Sequence, residues 1–212
     1  LGRPGGAQSM TPTPDFIYLA SQSPRRSQLL DQLGVRHTLL LPDADEDTES
    51  LEVLLRSEAP KTYVQRVTAL KLQAAQQRLA RRNLLPAPIL CADTTVALGR
   101  SIFGKPEDAE DAKRMLRALS NRPHRVMTAI AVGWGDQYAV ACSESWVTFA
   151  EWSEPDIDAY VATGEPMGKA GAYAVQGRAA AYIAHISGSY SGIIGLPLFE
   201  TSQALRSLGF RL

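Results

Sequence analysis

Residues 15–34, "DFIYLASQSPRRSQLLDQLG", spell a strand, a turn and a helix. "DFIYLA" (15–20) is a short apolar run of the kind a sheet buries. Ser23 stands at an N-cap position and Pro24 suits the first helical position. Leu29, Leu30 and Leu33 then recur at helical spacing until Gly34 stops the helix. The free N–H groups of a helix start already make it electropositive, so acids are the usual neighbours there. This one carries Arg25 and Arg26. Two cations make sense at that point if an anion sits beside them, because turn N–H groups, the Ser21 and Ser23 hydroxyls and guanidiniums all suit phosphate oxygens. A capped turn with two solvated arginines is the plainer alternative, and the turn taken alone favours it.

Beyond Gly34, "VRHTLLL" (35–41) reads as a returning strand, and the acidic stretch 42–60 as a loop leading into a helix over about 60–82. On that helix Tyr63, Val64, Val67, Leu70, Leu72, Ala74, Ala75 and Leu79 form a broad apolar arc. Lys71 falls near its middle, where a lysine either snorkels to the rim or meets an anion. "APILCADTTVALG" (87–99) is a strand running into Asp93, followed by a hairpin through "GRSIFG". Pro106, Glu107 and Asp108 open a helix whose buried face is Ala112, Met115, Leu116 and Leu119. Two longer strands follow over 124–134 and 138–150, then a helix near 154–163, a Gly-rich stretch, a strand over 180–186 and a helix over 197–208. The pattern predicts mixed α/β architecture in one unit with two lobes over 15–212. Residues 1–14 read as a disordered leader or expression remnant, with Met10 a candidate start.

The 22 basic residues balance the 22 acidic ones across 212 positions, so no global field draws nucleic acid or an anionic membrane and any anion site must be local. Cys91 and Cys142 cannot build a disulfide framework, which suits a reducing cytoplasm, and no apolar run is long enough to span a bilayer. His37, His124 and His185 lack metal-ligand spacing and read as structural or exposed. Motifs of the G-x-S-x-G, HExxH and Walker A types are absent.

Four further features can carry chemistry. Asp93, at the end of an apolar run, can hold a metal, activate a water, or merely shape a turn. The cluster Asp43, Asp45, Glu46 and Asp47 is either solvated or contributes one carboxylate beside Asp93. Lys105, in "GKP", places a cation before a helix start. Gln176 lies between the Gly-rich segments "GKAGAYAVQG" (168–177) and "GSYSGIIGLPL" (188–198), where an amide can read a base edge.

The ordered set "YLASQSPRRSQLLDQLGV", "DADE", "CADTTV", "GKPEDAEDAKRML", "GEPMGKAGAYAVQG" and "GSYSGIIGLPL" resembles the Maf family of nucleoside triphosphate pyrophosphatases over residues 16–208. The resemblance implies an α/β fold like that of inosine triphosphate pyrophosphatases: a mixed sheet with flanking helices and a long cleft between two lobes, usually as a homodimer. It implies cleavage between the α- and β-phosphates with a divalent metal, Mg²⁺ or Mn²⁺. Asp93 falls on the family's proton acceptor, and Arg25, Thr94 and Gln176 on its specificity positions. Ser21, Ser23, Arg26, Lys71 and Lys105 would surround the phosphates, and Glu46 with Asp93 would hold the metal. "SPRR", "ADT" and "QG" resemble the branch acting on dTTP and UTP. The branch acting on 7-methyl-GTP carries other residues at these three places. The family is also associated with cell-division arrest, which keeps a non-catalytic nucleotide-binding regulator as an alternative. No nucleic acid or membrane partner is expected.

Overall fold

The structure, a computed structural model, describes residues 12–212. The expected leader lies almost wholly outside the described residues, and Met10 with it. In chain order the elements are β1 (Ile17–Leu19), α1 (Pro24–Gln32), β2 (His37–Leu39), α2 (Pro60–Arg81), β3 (Ile89–Leu98), β4 (Ser101–Phe103), α3 (Ala109–Leu119), β5 (Pro123–Trp134), β6 (Gln137–Phe149), α4 (Glu154–Ala162), β7 (Ile183–Ser187), α5 (Tyr190–Ile194) and α6 (Leu198–Ser207).

The strands join in one seven-stranded sheet of order β2-β1-β3-β5-β6-β7, with β4 also paired to β3. β1 runs parallel to β2 and to β3, an arrangement that needs crossover connections, and α1 and α2 supply them. The remaining pairs are antiparallel, as short hairpins permit. Side-chain alternation along β3 divides the core. Leu90 and Ala92 face Leu29, Leu30 and Leu205 on the α1 and α6 side, whereas Ile89 and Cys91 face Leu72 and Ala75 of α2. Farther along the long strands a second core gathers Phe103, Met115, Leu116, Phe149, Trp152 and Tyr160. These two ends are the two lobes.

The gap between two short strands positions the site. β1 pairs with β3 only at Ile89 and Leu90, and β4 pairs with it only from Val96 to Leu98. Residues 91–95 are therefore paired on their β5 side and open on the other. Leu90 O accepts the Ala20 N–H on that open side. Alternation along an antiparallel strand then turns the main-chain groups of Ala92 and Thr94 the same way, into the gap.

Several local expectations change. Asp93 lies inside β3, not beyond its end. Ser23 makes no side-chain cap; Ser21 Oγ accepts the Ser23 N–H instead, 3.2 Å away. Helix α3 starts at Ala109 with Asp108 as its cap, so its N-terminus is already satisfied and Lys105 precedes it in a turn. The expected strand at 180–186 begins only at Ile183, because Arg178–Tyr182 form a 3₁₀ turn that stacks Tyr182 on Trp152. The histidines are structural or exposed, as read. His124 is buried against Tyr173, and burial pushes the Cys91 thiol up to about 12.

Candidate active site

A cleft of about 500 Å³ opens at the gap in β3. Its walls come from the β1–α1 turn, α2, mid-β3, the turn after β4 and the segment 168–176. Arg25, Arg26, Lys71, Arg78, Lys105 and Lys169 line it, against only Glu52 and Asp93 as carboxylates. In a chain with no net charge, that excess of cations makes a local anion site. Ser21, Ser23, Thr94 and Gln176 line it too. Of the site residues that the resemblance implied, Glu46 alone is not on these walls, and its neighbours Asp43, Asp45 and Asp47 in the acid cluster are absent from them too.

Lys71 belongs to the buried stripe Val64, Val67, Ala75 and Arg78 of α2, which faces β3. Its ammonium donates to Asp93 Oδ1 at 2.7 Å and pairs with Glu52 Oε1 at 2.8 Å. The third N–H is left for a ligand. Asp93 Oδ2 has no hydrogen-bond partner among the described residues. Burial alone would raise the Glu52 carboxyl, but Lys71, Lys105 and Arg26 hold it below the usual carboxylate range. Burial likewise opposes the Lys71 charge, yet Asp93 and Glu52 outweigh it and raise that group. The signs set a pH window. A depressed carboxyl stabilises the fold above its ordinary value of 4.5 and ceases to as pH falls through its lower folded value. A raised ammonium stabilises fully below its ordinary value of 10.5 and ceases to as pH rises through its higher folded value. The melting temperature should hold between those values and fall on the acid side below 4.5. A Glu52→Gln variant should show a shallower acid limb in the same scan, and an identical limb would remove Glu52 from the pair.

Arg26 is fixed on every side. Its Nε donates to Gly195 O at 2.7 Å, Nη1 to Ser21 Oγ at 3.1 Å and Nη2 to Thr94 Oγ1 at 3.2 Å. Thr128 Oγ1, buried on β5, sits 2.6 Å from Gly192 O and 2.9 Å from Thr94 Oγ1. A hydroxyl has one proton, and Thr128 must give its own to that carbonyl. Thr94 therefore donates to Thr128 while accepting from Arg26, and its hydroxyl has no proton left for a ligand. This relay ties the β1–α1 turn, β3, β5 and α5 together behind the cleft. Thr128→Val strands Gly192 O and the Thr94 hydroxyl, and should cost about 1–3 kcal/mol in urea unfolding. Thr128→Ser keeps the hydroxyl and should lose far less.

Arg25, Lys105 and Gln176 make no side-chain hydrogen bond or ion pair among the described residues, and Lys105 and Gln176 are exposed. Their groups are free to meet a ligand. Lys169, which sequence reasoning passed over within "GKAGAYAVQG", donates to Glu165 O at 2.7 Å. Burial and the neighbouring Arg25 pull its ammonium below the ordinary value, the condition of a cation short of anions. Glu46 stands elsewhere. Its carboxylate takes Arg78 Nε at 2.9 Å and Arg81 Nη2 at 2.8 Å, and the Asp43 N–H closes the loop at 2.8 Å. It is the clasp that fastens residues 40–46 to α2. Glu52 is the acid that meets Lys71 beside Asp93, from a 3₁₀ turn over Glu49–Glu52.

Among the described residues no group of three or more His, Cys, Asp or Glu side chains forms a metal cage. Glu52 and Asp93 nevertheless converge on one ammonium, so both present oxygens to a single cationic point. Magnesium is commonly held by one or two carboxylates together with substrate phosphates, and this pair fits that kind of site.

A family model described as "Maf-like protein" matches residues 16–208. The chain is 67% identical over 198 residues to a protein of Albidiferax ferrireducens named dTTP/UTP pyrophosphatase, covering 93% of this chain and 99% of that one. It is 63% identical to a protein of the same name from a Polaromonas species, covering 95% and 100% respectively. Among solved structures, the Ham1 protein of Staphylococcus aureus aligns at 15% identity and a TM-score of 0.43, over 63% of this chain and 71% of that one. No described helix is long and apolar enough to cross a membrane.

Proposed function

The chain belongs to the Maf family, and from that membership we propose that it hydrolyses dTTP and UTP to the monophosphate and pyrophosphate. The observation that carries this reading is the cleft in which Arg25, Arg26, Lys71, Lys105 and Lys169 outnumber the carboxylates of Glu52 and Asp93 beside the open edge of β3. A triphosphate and a small base match that charge and volume. The names of relatives above 60% identity favour thymine and uracil.

The phosphates lie across the Ser21–Arg26 turn, gripped by Arg25, Lys71, Lys105 and Lys169. Arg26 supports the turn through Ser21 and Thr94. Asp93 Oδ2 accepts a proton from the attacking water while Lys71 fixes the other oxygen of the same carboxylate. One phosphorus–oxygen bond forms to that water and the α–β bridging bond breaks, with pyrophosphate leaving as an anion. The surrounding ammonium and guanidinium groups stabilise the charge that builds on it. A divalent cation, Mg²⁺ or Mn²⁺, held by Asp93 and Glu52 would supply further charge neutralisation at the phosphate oxygens. The Gln176 amide reads the base, since it can accept the N3–H and donate to O4 of uracil or thymine. Thr94 acts on specificity through Arg26, because its own proton is committed to Thr128. We place the enzyme in the cytoplasm as a homodimer, which light scattering of the purified protein checks.

The test is turnover of a panel of triphosphates with Mg²⁺. UTP and dTTP should exceed CTP, purine triphosphates and 7-methyl-GTP by at least about tenfold in kcat/KM. A preference for 7-methyl-GTP would assign the other branch. Tight binding of dTTP or UTP without turnover would make the protein a regulator.

A further inference from the structure

A primary amide does not by itself tell uracil from cytosine. One orientation pairs with uracil, and the flipped orientation pairs with the reversed donor and acceptor of cytosine. Selection by Gln176 therefore depends on how firmly the backbone around it is held against the rest of the cleft. One acidic side chain does this from outside the cleft walls.

Glu165 lies in the loop after α4, and its carboxylate is engaged at both oxygens. Tyr160 Oη donates to Oε1 at 2.7 Å, and the Arg178 N–H donates to Oε2 at 3.2 Å. The Tyr160 oxygen in turn accepts the Ala174 N–H at 3.4 Å, and the Gly177 N–H closes on Ala174 O at 3.1 Å. Ala174 and Arg178 flank Gln176 symmetrically, so the backbone is fastened two residues before it and two residues after it. Burial and the contact with Glu165 push the Tyr160 phenol up, which keeps it a donor at any ordinary pH. Gly177 fits the same scheme. A Cβ there would fall on the Glu165 carboxylate, so glycine after Gln176 leaves the carboxylate its place and a side chain would displace it. The main-chain carbonyl of Glu165 separately holds Lys169.

We propose that Glu165 is a positioning residue that sets pyrimidine preference by clamping the Ala174–Arg178 turn that presents Gln176. The proposal rests on Gln176 as the base-reading group under the function above. Removing the carboxylate releases the turn but leaves the Glu165 carbonyl, Lys169 and the Lys71–Asp93 pair in place, so base selection and turnover should separate. Glu165→Ala should lower the UTP to CTP ratio of kcat/KM by at least about tenfold while kcat for UTP stays within about threefold. Gly177→Ala, which pushes the carboxylate out, should move the ratio the same way. Glu165→Gln, which retains an acceptor oxygen, should recover most of it. An unchanged ratio in Glu165→Ala would overturn the proposal, and so would an equal loss with every nucleotide. Wild-type protein that did not prefer UTP to CTP would overturn the proposed function instead. The clamp would still be decided by the ¹⁵N side-chain amide signals of Gln176: a shift or broadening in Glu165→Ala supports it, and spectra identical to wild type overturn it.

Discussion

Asp93→Asn should lower kcat for UTP by about a thousandfold, within the range general-base groups contribute, while the protein melts close to wild type. Asparagine keeps the shape and an acceptor oxygen for Lys71, so the bond at 2.7 Å survives. What disappears is the negative oxygen able to take a proton from water and to share a cation with Glu52. The change sits at a position only partly buried, its side chain 16% exposed, so the amide meets solvent and costs the fold little. Single-turnover release of pyrophosphate alongside a thermal melt separates the two effects. Near-normal rates would remove Asp93 from the proton path.

Lys71→Met should be the next most damaging change, lowering kcat/KM by about a hundred- to a thousandfold. Methionine preserves the apolar stem on the buried stripe of α2 and removes only the ammonium. Asp93 and Glu52 then face one another without the cation between them, and the Glu52 carboxyl loses the largest charge holding it down. Glu52 should titrate at higher pH than in wild type, and the acid limb of the activity profile should move up with it. KM should rise as well as kcat fall, because the N–H proposed to meet phosphate is lost in both ground and transition states. Circular dichroism should match wild type. Unfolded protein instead would make Lys71 a structural residue and its place in the cleft incidental.

What could be read in the residues follows their range of interaction. The strand–turn–helix at 15–34 and the odd lysine on the apolar arc of α2 are local patterns, and both stand in the structure. The setting of Asp93 is not local. It depends on β1 and β4 both being too short to cover the middle of β3, which no window around Asp93 contains. Glu46 drew attention because it stands in an acid run, yet its partners are Arg78 and Arg81 on the far side of a loop and a helix. A signal did exist. Arg78 is a second cation on the buried stripe that exposes Lys71, and a buried guanidinium requires an acid partner. Glu52 carried no comparable mark, since a lone glutamate before "VLL" looks like any solvated loop residue. The clamp on Gln176 was equally hidden, because it joins α4, the loop after it and the turn at 174–178.

The most direct measurement is ³¹P NMR of UTP turned over by the purified protein with Mg²⁺. Cleavage at the α–β anhydride predicts uridine monophosphate and pyrophosphate appearing together in equal amounts from the first time point, with no signal from the diphosphate. Uridine diphosphate and orthophosphate as first products would contradict it.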